Sequence, residues 1–219
     1  MASWVRKLPL PSRLPKFDLY LVTDRGQTAG RDLLWALEQA LAGGVRAVQL
    51  RENDLGGREL FVLAEKIKTL CERYRASLFV NDRIDVALGV DADGVHLGGT
   101  SMPVRAAREL LREKKLIGVS THSVQEAKEA EQEGADFILF GPVYFTPSKA
   151  VYGKPQGLGP LKEVVEKISL PVYAIGGIKR ENIAEVKASG VQGVALISAV
   201  LSSADPRAAA REILSVLKG

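Results

Sequence analysis

The chain has 219 residues, 46% of them hydrophobic and 26% charged, which is ordinary for a soluble globular protein with a substantial core. Its net charge is +4, but charges of both signs mix along helical stretches such as Glu126, Lys128, Glu129, Glu131 and Glu133 and Lys162, Glu163, Glu166 and Lys167, a solvated-face pattern that argues against a nucleic-acid groove and leaves room for anionic small molecules. A single cysteine excludes an internal disulfide framework, no apolar run is long enough to span a membrane, and the N-terminus lacks a signal peptide's apolar segment, so a cytoplasmic location is expected.

Residues 1–16 carry Pro9, Pro11 and Pro15 and are expected to form a short extension lying on a single domain over 17–219. Phe17 to Val22 is the first predicted strand. Arg31 to Leu41 is the first helix, with Leu33, Leu34, Leu37 and Leu41 on one face. Ala47 to Leu50 is strand two, and Arg58 to Tyr74 a long helix in which Cys71 reads as a buried structural thiol. Ser77 to Val80 is strand three, Arg83 to Leu88 a short helix, and Gly94 to Leu97 strand four. A helix over Val104 to Glu113 follows, with Pro103 near its start. Leu116 to Ser120 is strand five, and the helix beginning near Val124 has Ser123 and Glu126 at capping-box spacing. Phe137 to Phe140 is strand six. The Gly- and Pro-rich stretch from Pro142 to about Pro160 has the length of a functional lid. Val172 to Ile175 and Gly193 to Ile197 are strands seven and eight, and the last helix runs from about Pro206 to Leu217.

Four strands are entered through a small-residue turn at Gly44, Ala92, Gly134 and Gly190, most of them after an amphipathic helical stretch. Helix, left-handed glycine cap, buried β-branched run and polar loop, repeated, wind parallel strands around one core. A single (β/α)8 TIM barrel is the expected fold. An open doubly wound sheet is the alternative, but no dinucleotide fingerprint follows strand one. In such barrels the chemistry lies at the carboxyl ends of the strands.

Strand two ends in Gln49, Arg51 and Glu52, and alternation puts Gln49 and Arg51 on one face. A guanidinium closing an apolar strand needs a partner, either a bidentate anion or a nearby carboxylate such as Glu52 or Asp82. Asp82 can cap the next helix or, at a barrel mouth, act as an oxygen ligand for Mg²⁺; Asp85 reads as solvated. His96, inside strand four, reads as a core histidine. His122, where the polar run Ser120-Thr121-His122-Ser123 begins, is an acid/base candidate or a loop histidine facing water. Thr146, Ser148 and Lys149 could form a phosphate clasp on the long loop. Gly176-Gly177 after strand seven and Ile197-Ser198-Ala199 after strand eight suit phosphate binding through backbone N–H groups.

Taken together, Tyr20 through Asp24, Gln49 through Glu52, Asn81 through Leu88, Asp93 through Gly98, Gly118 through Ser123, Gly141 through Tyr144, Thr146 through Lys149, Ile175 through Ile178 and Ile197-Ser198-Ala199 resemble the thiamin phosphate synthase and thiazole tautomerase superfamily. The likeness extends from Tyr20 to Pro206. The synthase resemblance implies two small-molecule partners, a hydroxymethylpyrimidine diphosphate and a thiazole phosphate, joined with loss of pyrophosphate, and no nucleic acid or membrane; a homo-oligomer is compatible with it. It implies that Gln49, Arg51 and Asn81 hold the pyrimidine diphosphate and that Ser120 and Lys149 help on the phosphates. Asp82 would ligate Mg²⁺, while Thr146, Ser148, Gly177, Ile197 and Ser198 would hold the thiazole phosphate. Two positions depart from the synthase pattern: Asn53 replaces a usual lysine among the diphosphate-binding residues, and Ser101 replaces a usual second aspartate ligand. The alternative is a metal-independent thiazole tautomerase with no cofactor, using His122 as its acid/base, and a third is a non-catalytic thiazole-phosphate-binding regulator. Retention of Asp82 and Lys149 favours the synthase.

Overall fold

The computed structural model describes residues 17–146 and 154–218; the 1–16 extension, Ser148 and Lys149 therefore lie outside the described residues. Among these residues eight parallel strands close on themselves in chain order. They are β1 (Leu19–Val22), β2 (Ala47–Leu50), β3 (Ser77–Asn81), β4 (Gly94–Leu97), β5 (Leu116–Thr121), β6 (Phe137–Phe140), β7 (Val172–Ile175) and β8 (Gly193–Leu196). Pairing of β1 with both β2 and β8 makes the sheet a (β/α)8 barrel and rules out the open sheet. The helices are α1 (Leu33–Ala42), α2 (Gly57–Arg73), α3 (Ile84–Gly89), α4 (Val104–Leu111), α5 (Val124–Glu133), α6 (Leu158–Lys167), α7 (Ile183–Lys187), α8 (Ser198–Leu201) and α9 (Pro206–Lys218).

Because successive strand residues face opposite sides, each strand feeds two cores. Leu21, Val48, Leu50, Val80, Val95, Ile117, Ile138 and Val194 pack outward against helix residues such as Leu37, Ala64, Ile67 and Ala107. Tyr20, Ala47, Phe79, Phe137, Leu139, Tyr173 and Ala195 turn inward with Phe17 and fill the barrel. Phe17 stacks on Tyr173 with ring centroids 4.7 Å apart, and Tyr173 Oη donates to Phe17 O at 2.9 Å. This is why Phe17, expected in the first strand, instead forms the floor beneath it.

The aromatic interior leaves no volume at Gly118. A Cβ there would lie 2.3 Å from Phe137 Cζ and 2.7 Å from His96 Nδ1, so only glycine lets both rings occupy the layer. The glycine caps expected before buried strands are present at Gly44, Gly134 and Gly190, with φ of +112°, +100° and +84°. The helix predicted to reach Glu113 ends at Leu111. Arg112 turns left-handed there at φ +52°, and Arg108 holds its carbonyl at 2.6 Å. Cys71 is buried on α2, and burial pushes its thiol up to about 12, in keeping with a structural role.

Candidate active site

The alternation that places Ala47, Phe79, Gly94 and Gly118 inside the barrel brings Gln49, Asn81, His96 and Ser120 to the same side one pleat higher, at the carboxyl ends of β2 to β5. Gln49 is 2% exposed and its amide nitrogen has no hydrogen-bond partner. Tyr20 Oη, buried beside it, likewise makes no well-aligned hydrogen bond; burial raises its pKa well above the ordinary phenol value, opposed by the neighbouring Gln49 amide. His96 is fully enclosed, with Nε2 2.9 Å from Ser120 Oγ and no partner at Nδ1. Burial first, and the Arg51 charge second, push the imidazole down to about 3, so it is neutral. His96 is thus the core histidine expected, but one joined to the mouth through Ser120.

Arg51 follows β2 and is half-buried. Its backbone N–H donates to Thr23 Oγ1 at 2.9 Å, while its guanidinium has no hydrogen bond or ion pair with any described residue. The carboxylates that could have neutralised it are engaged elsewhere. Glu52, 7% exposed, accepts from the Arg25 backbone N–H and from Arg25 Nε, both at 3.2 Å, and Arg25 also reaches Asp54 at 2.7 Å. Asp82 accepts from Asn81 Nδ2 at 2.9 Å and from the Ser101 hydroxyl. Ser101 Oγ in turn accepts from Gly98 N–H at 2.6 Å. An unneutralised, partly desolvated guanidinium at the mouth is a receptor for an anion.

Asp82 sits at φ +59°, a conformation that costs a side-chain-bearing residue strain, and its N–H donates to His96 O at 3.0 Å. It does not cap α3: the Ile84 N–H goes to the Asp82 backbone oxygen, and Arg83 pairs with Asp85 at 2.8 and 2.6 Å. Asp85 is thereby ion-paired as well as exposed. No group of three or more His, Cys, Asp or Glu suited to a metal exists among the described residues. One carboxylate with a hydroxyl beside it, open to solvent, nevertheless fits Mg²⁺, which keeps several waters and takes one or two carboxylates plus phosphate oxygens.

His122 is half-exposed, and Glu126 Oε2 receives both its backbone N–H at 2.8 Å and Nδ1 at 3.1 Å. The capping box therefore differs from expectation. Ser123 Oγ accepts from Glu126 N–H at 3.1 Å as predicted, but the reciprocal arm lands one residue earlier, on His122. Asn53 is exposed beyond Glu52.

Across the mouth, Gly176 and Gly177 have φ of +99° and +63°. A Cβ on Gly177 would lie 2.6 Å from Phe145 O, and the loop after β6 is fastened here by Val143 N–H to Ile175 O at 2.8 Å and Tyr144 N–H to Gly176 O at 3.0 Å. The glycine pair thus lets two loops nest. Asn182, which nothing local in the sequence marks out, holds Gly177 O through Nδ2 at 3.1 Å. Ile197 packs on the barrel interior, Ser198 begins α8, and Thr146 ends the described part of the loop after β6. A surface groove of about 670 Å³ between α1 and α2, lined by Leu34, Leu55, Arg58, Val62 and Lys66 among others, contains none of these strand-end residues.

A family model described as thiamine monophosphate synthase matches residues 19–200. A relative from Geobacter sulfurreducens is 55% identical over 201 residues, 92% of this chain and 94% of its own. A thiamine-phosphate synthase from Clostridium novyi is 43% identical over 200 residues, covering 91% of this chain and 98% of its own. Among solved structures, a thiamine phosphate pyrophosphorylase from Pyrococcus furiosus superposes with a TM-score of 0.85 at 40% identity, over 92% of this chain and 96% of its own.

Proposed function

The chain belongs to the thiamine monophosphate synthase family, and from that membership we propose that it joins a hydroxymethylpyrimidine diphosphate to a thiazole phosphate with release of pyrophosphate. The observation that carries this reading at the level of chemistry is Arg51: a half-buried cation with no protein partner among the described residues, near enough to His96 to lower its pKa and one residue beyond the Leu50–Val80 pairing, level with Asn81. Such a cation suits a diphosphate.

In this reaction the bond from the pyrimidine methylene to the diphosphate oxygen breaks, with the electron pair leaving on oxygen. The thiazole nitrogen lone pair then forms the new C–N bond. The enzyme's task is to stabilise negative charge on the leaving group and to hold the two rings in line. Arg51 and the Ser120 hydroxyl bind the diphosphate, and Asn81 braces Asp82 beside it. The Gln49 amide, buried beside Tyr20 with no well-aligned hydrogen bond, supplies one to a ring nitrogen of the pyrimidine. Asp82 and Ser101 would hold Mg²⁺, which when bound supplies electrostatic stabilisation of the departing pyrophosphate. By the family resemblance, Lys149 would act on the same phosphates, and Thr146, Ser148, Gly177, Ile197 and Ser198 on the thiazole phosphate.

The tautomerase alternative gains nothing from the site, since His122 is half-exposed and tied to Glu126. Pyrophosphate release from the two substrates, followed with and without Mg²⁺, is the direct test. Metal-dependent release requiring both substrates is expected; conversion of a thiazole carboxylate phosphate isomer without metal, and no pyrophosphate, would replace this reading with the tautomerase.

A further inference from the structure

We infer that His96 is a positioning residue for Ser120: its ring proton resides on Nε2 and is donated to Ser120 Oγ, which leaves the serine proton free to face the mouth as a donor. The inference rests on the proposed function and adds a residue outside the substrate-contact set to it.

The geometry fixes the tautomer. Nε2 and Ser120 Oγ are 2.9 Å apart, on neighbouring strands and 24 residues apart in sequence. Nδ1 has no polar partner. It abuts the Cα of Gly118, where a Cβ would come within 2.7 Å of it, and the Phe137 ring lies with its centroid 6.0 Å from the imidazole. A proton on Nδ1 would be a buried donor driven against C–H groups. A bare lone pair there meets Gly118 Cα–H instead, a weak but favourable contact. An enclosed imidazole with no carboxylate on either nitrogen carries one proton, and the remaining position is Nε2.

The consequence is a matter of sign. A serine hydroxyl has one proton and two lone pairs. If Nε2 were the acceptor, the Ser120 proton would be consumed inward and the hydroxyl would offer only lone pairs to an incoming anion. With Nε2–H as donor, the lone pair is used inward and the proton is available to a phosphate oxygen. Gly118 serves this arrangement indirectly, because any side chain there would displace the imidazole.

His96 and His122 are the only histidines, so ¹⁵N-histidine labelling gives two resolvable imidazoles. Long-range ¹H–¹⁵N correlation on the whole protein at neutral pH should place the His96 proton on Nε2, as a slowly exchanging signal that moves in Ser120→Ala. A proton on Nδ1, or a signal unaffected by Ser120→Ala, would overturn the inference, and neither readout needs turnover. In kinetics, His96→Leu should lower kcat about tenfold, the scale of one misdirected hydrogen bond. His96→Gln, which keeps an N–H donor, should restore most of it. His96→Leu with Ser120→Ala should be no slower than Ser120→Ala alone, because the two act as a unit. Additive losses would show that His96 acts only on the fold. Wild-type protein that releases no pyrophosphate would defeat the proposed function while leaving the spectrum to decide the tautomer.

Discussion

Replacing Arg108 by methionine should cost substantial stability at the end of the barrel opposite the mouth. Arg108 on α4 and Asp136 just before β6 form an ion pair at 2.5 Å, with side chains only 12% and 3% exposed, so water screens it little. The same guanidinium also donates to Gly134 O at 2.9 and 3.1 Å, Lys115 O at 2.9 Å and Arg112 O at 2.6 Å. Arg108→Met keeps the packing of the stem but leaves the Asp136 carboxylate enclosed, with only the Ile117 N–H at 2.6 Å to satisfy it. Stranding a buried charge in this way costs about 3–5 kcal/mol. Burial, opposed by Arg108, already holds the Asp136 carboxyl above the ordinary carboxylate value. A folded-state pKa raised in this way favours the folded protein while the group is protonated, and that contribution is lost as pH rises through the folded pKa. Without Arg108 the pKa climbs further. The deficit of the variant is therefore greatest at neutral pH and narrows as pH falls into the carboxylate range. Urea unfolding of both proteins at neutral and mildly acidic pH measures this directly, and Arg108→Met with Asp136→Asn should be less damaged than Arg108→Met alone. A loss under about 1 kcal/mol, or one that is the same at both pH values, would refute the reasoning.

Arg51→Gln should lower kcat/KM for the pyrimidine diphosphate by about 10- to 100-fold while leaving thiazole phosphate binding intact, because a hydrogen bond to a charged group contributes about 1.5–3 kcal/mol; steady-state kinetics in each substrate separates the two. Asp82→Ala should abolish pyrophosphate release yet spare thiazole phosphate binding measured by calorimetry, and unchanged turnover would contradict the metal role given to that carboxylate. Combining Asn53→Lys with Ser101→Asp should raise activity at limiting Mg²⁺ by returning a cation and a second carboxylate to the diphosphate end, whereas no gain would mean that other groups already fill those roles. Cys71, its thiol pushed up to about 12, should resist alkylation of the native protein at neutral pH and react only on unfolding, as mass spectrometry would report.

Local sequence determined the elements. The bounds expected for β2, β4, β6 and β7 are those observed, because each is a short apolar run closed at both ends by glycine, proline or polar residues. It also placed Gln49 and Arg51 on one side of their strand, while Ser101 drew notice only through the family resemblance, as the residue standing where a second aspartate is usual. What it left open were contacts between residues far apart in the chain. Whether Arg51 is neutralised depended on Glu52 being claimed by Arg25, 27 residues earlier. Whether His96 is inert depended on Ser120, two residues beyond its register partner Gly118 on the next strand, coming within 2.9 Å of its ring. The end of α4 and the second arm of the α5 cap were likewise set by Arg108 and by His122, through bonds that no helix-end pattern encodes. Periodicity along a chain of this kind reports which face of each strand is buried. Which side chains meet inside the barrel is fixed only when eight strands close with one register, since a shift of one residue between neighbours would turn every one of these groups to the other side.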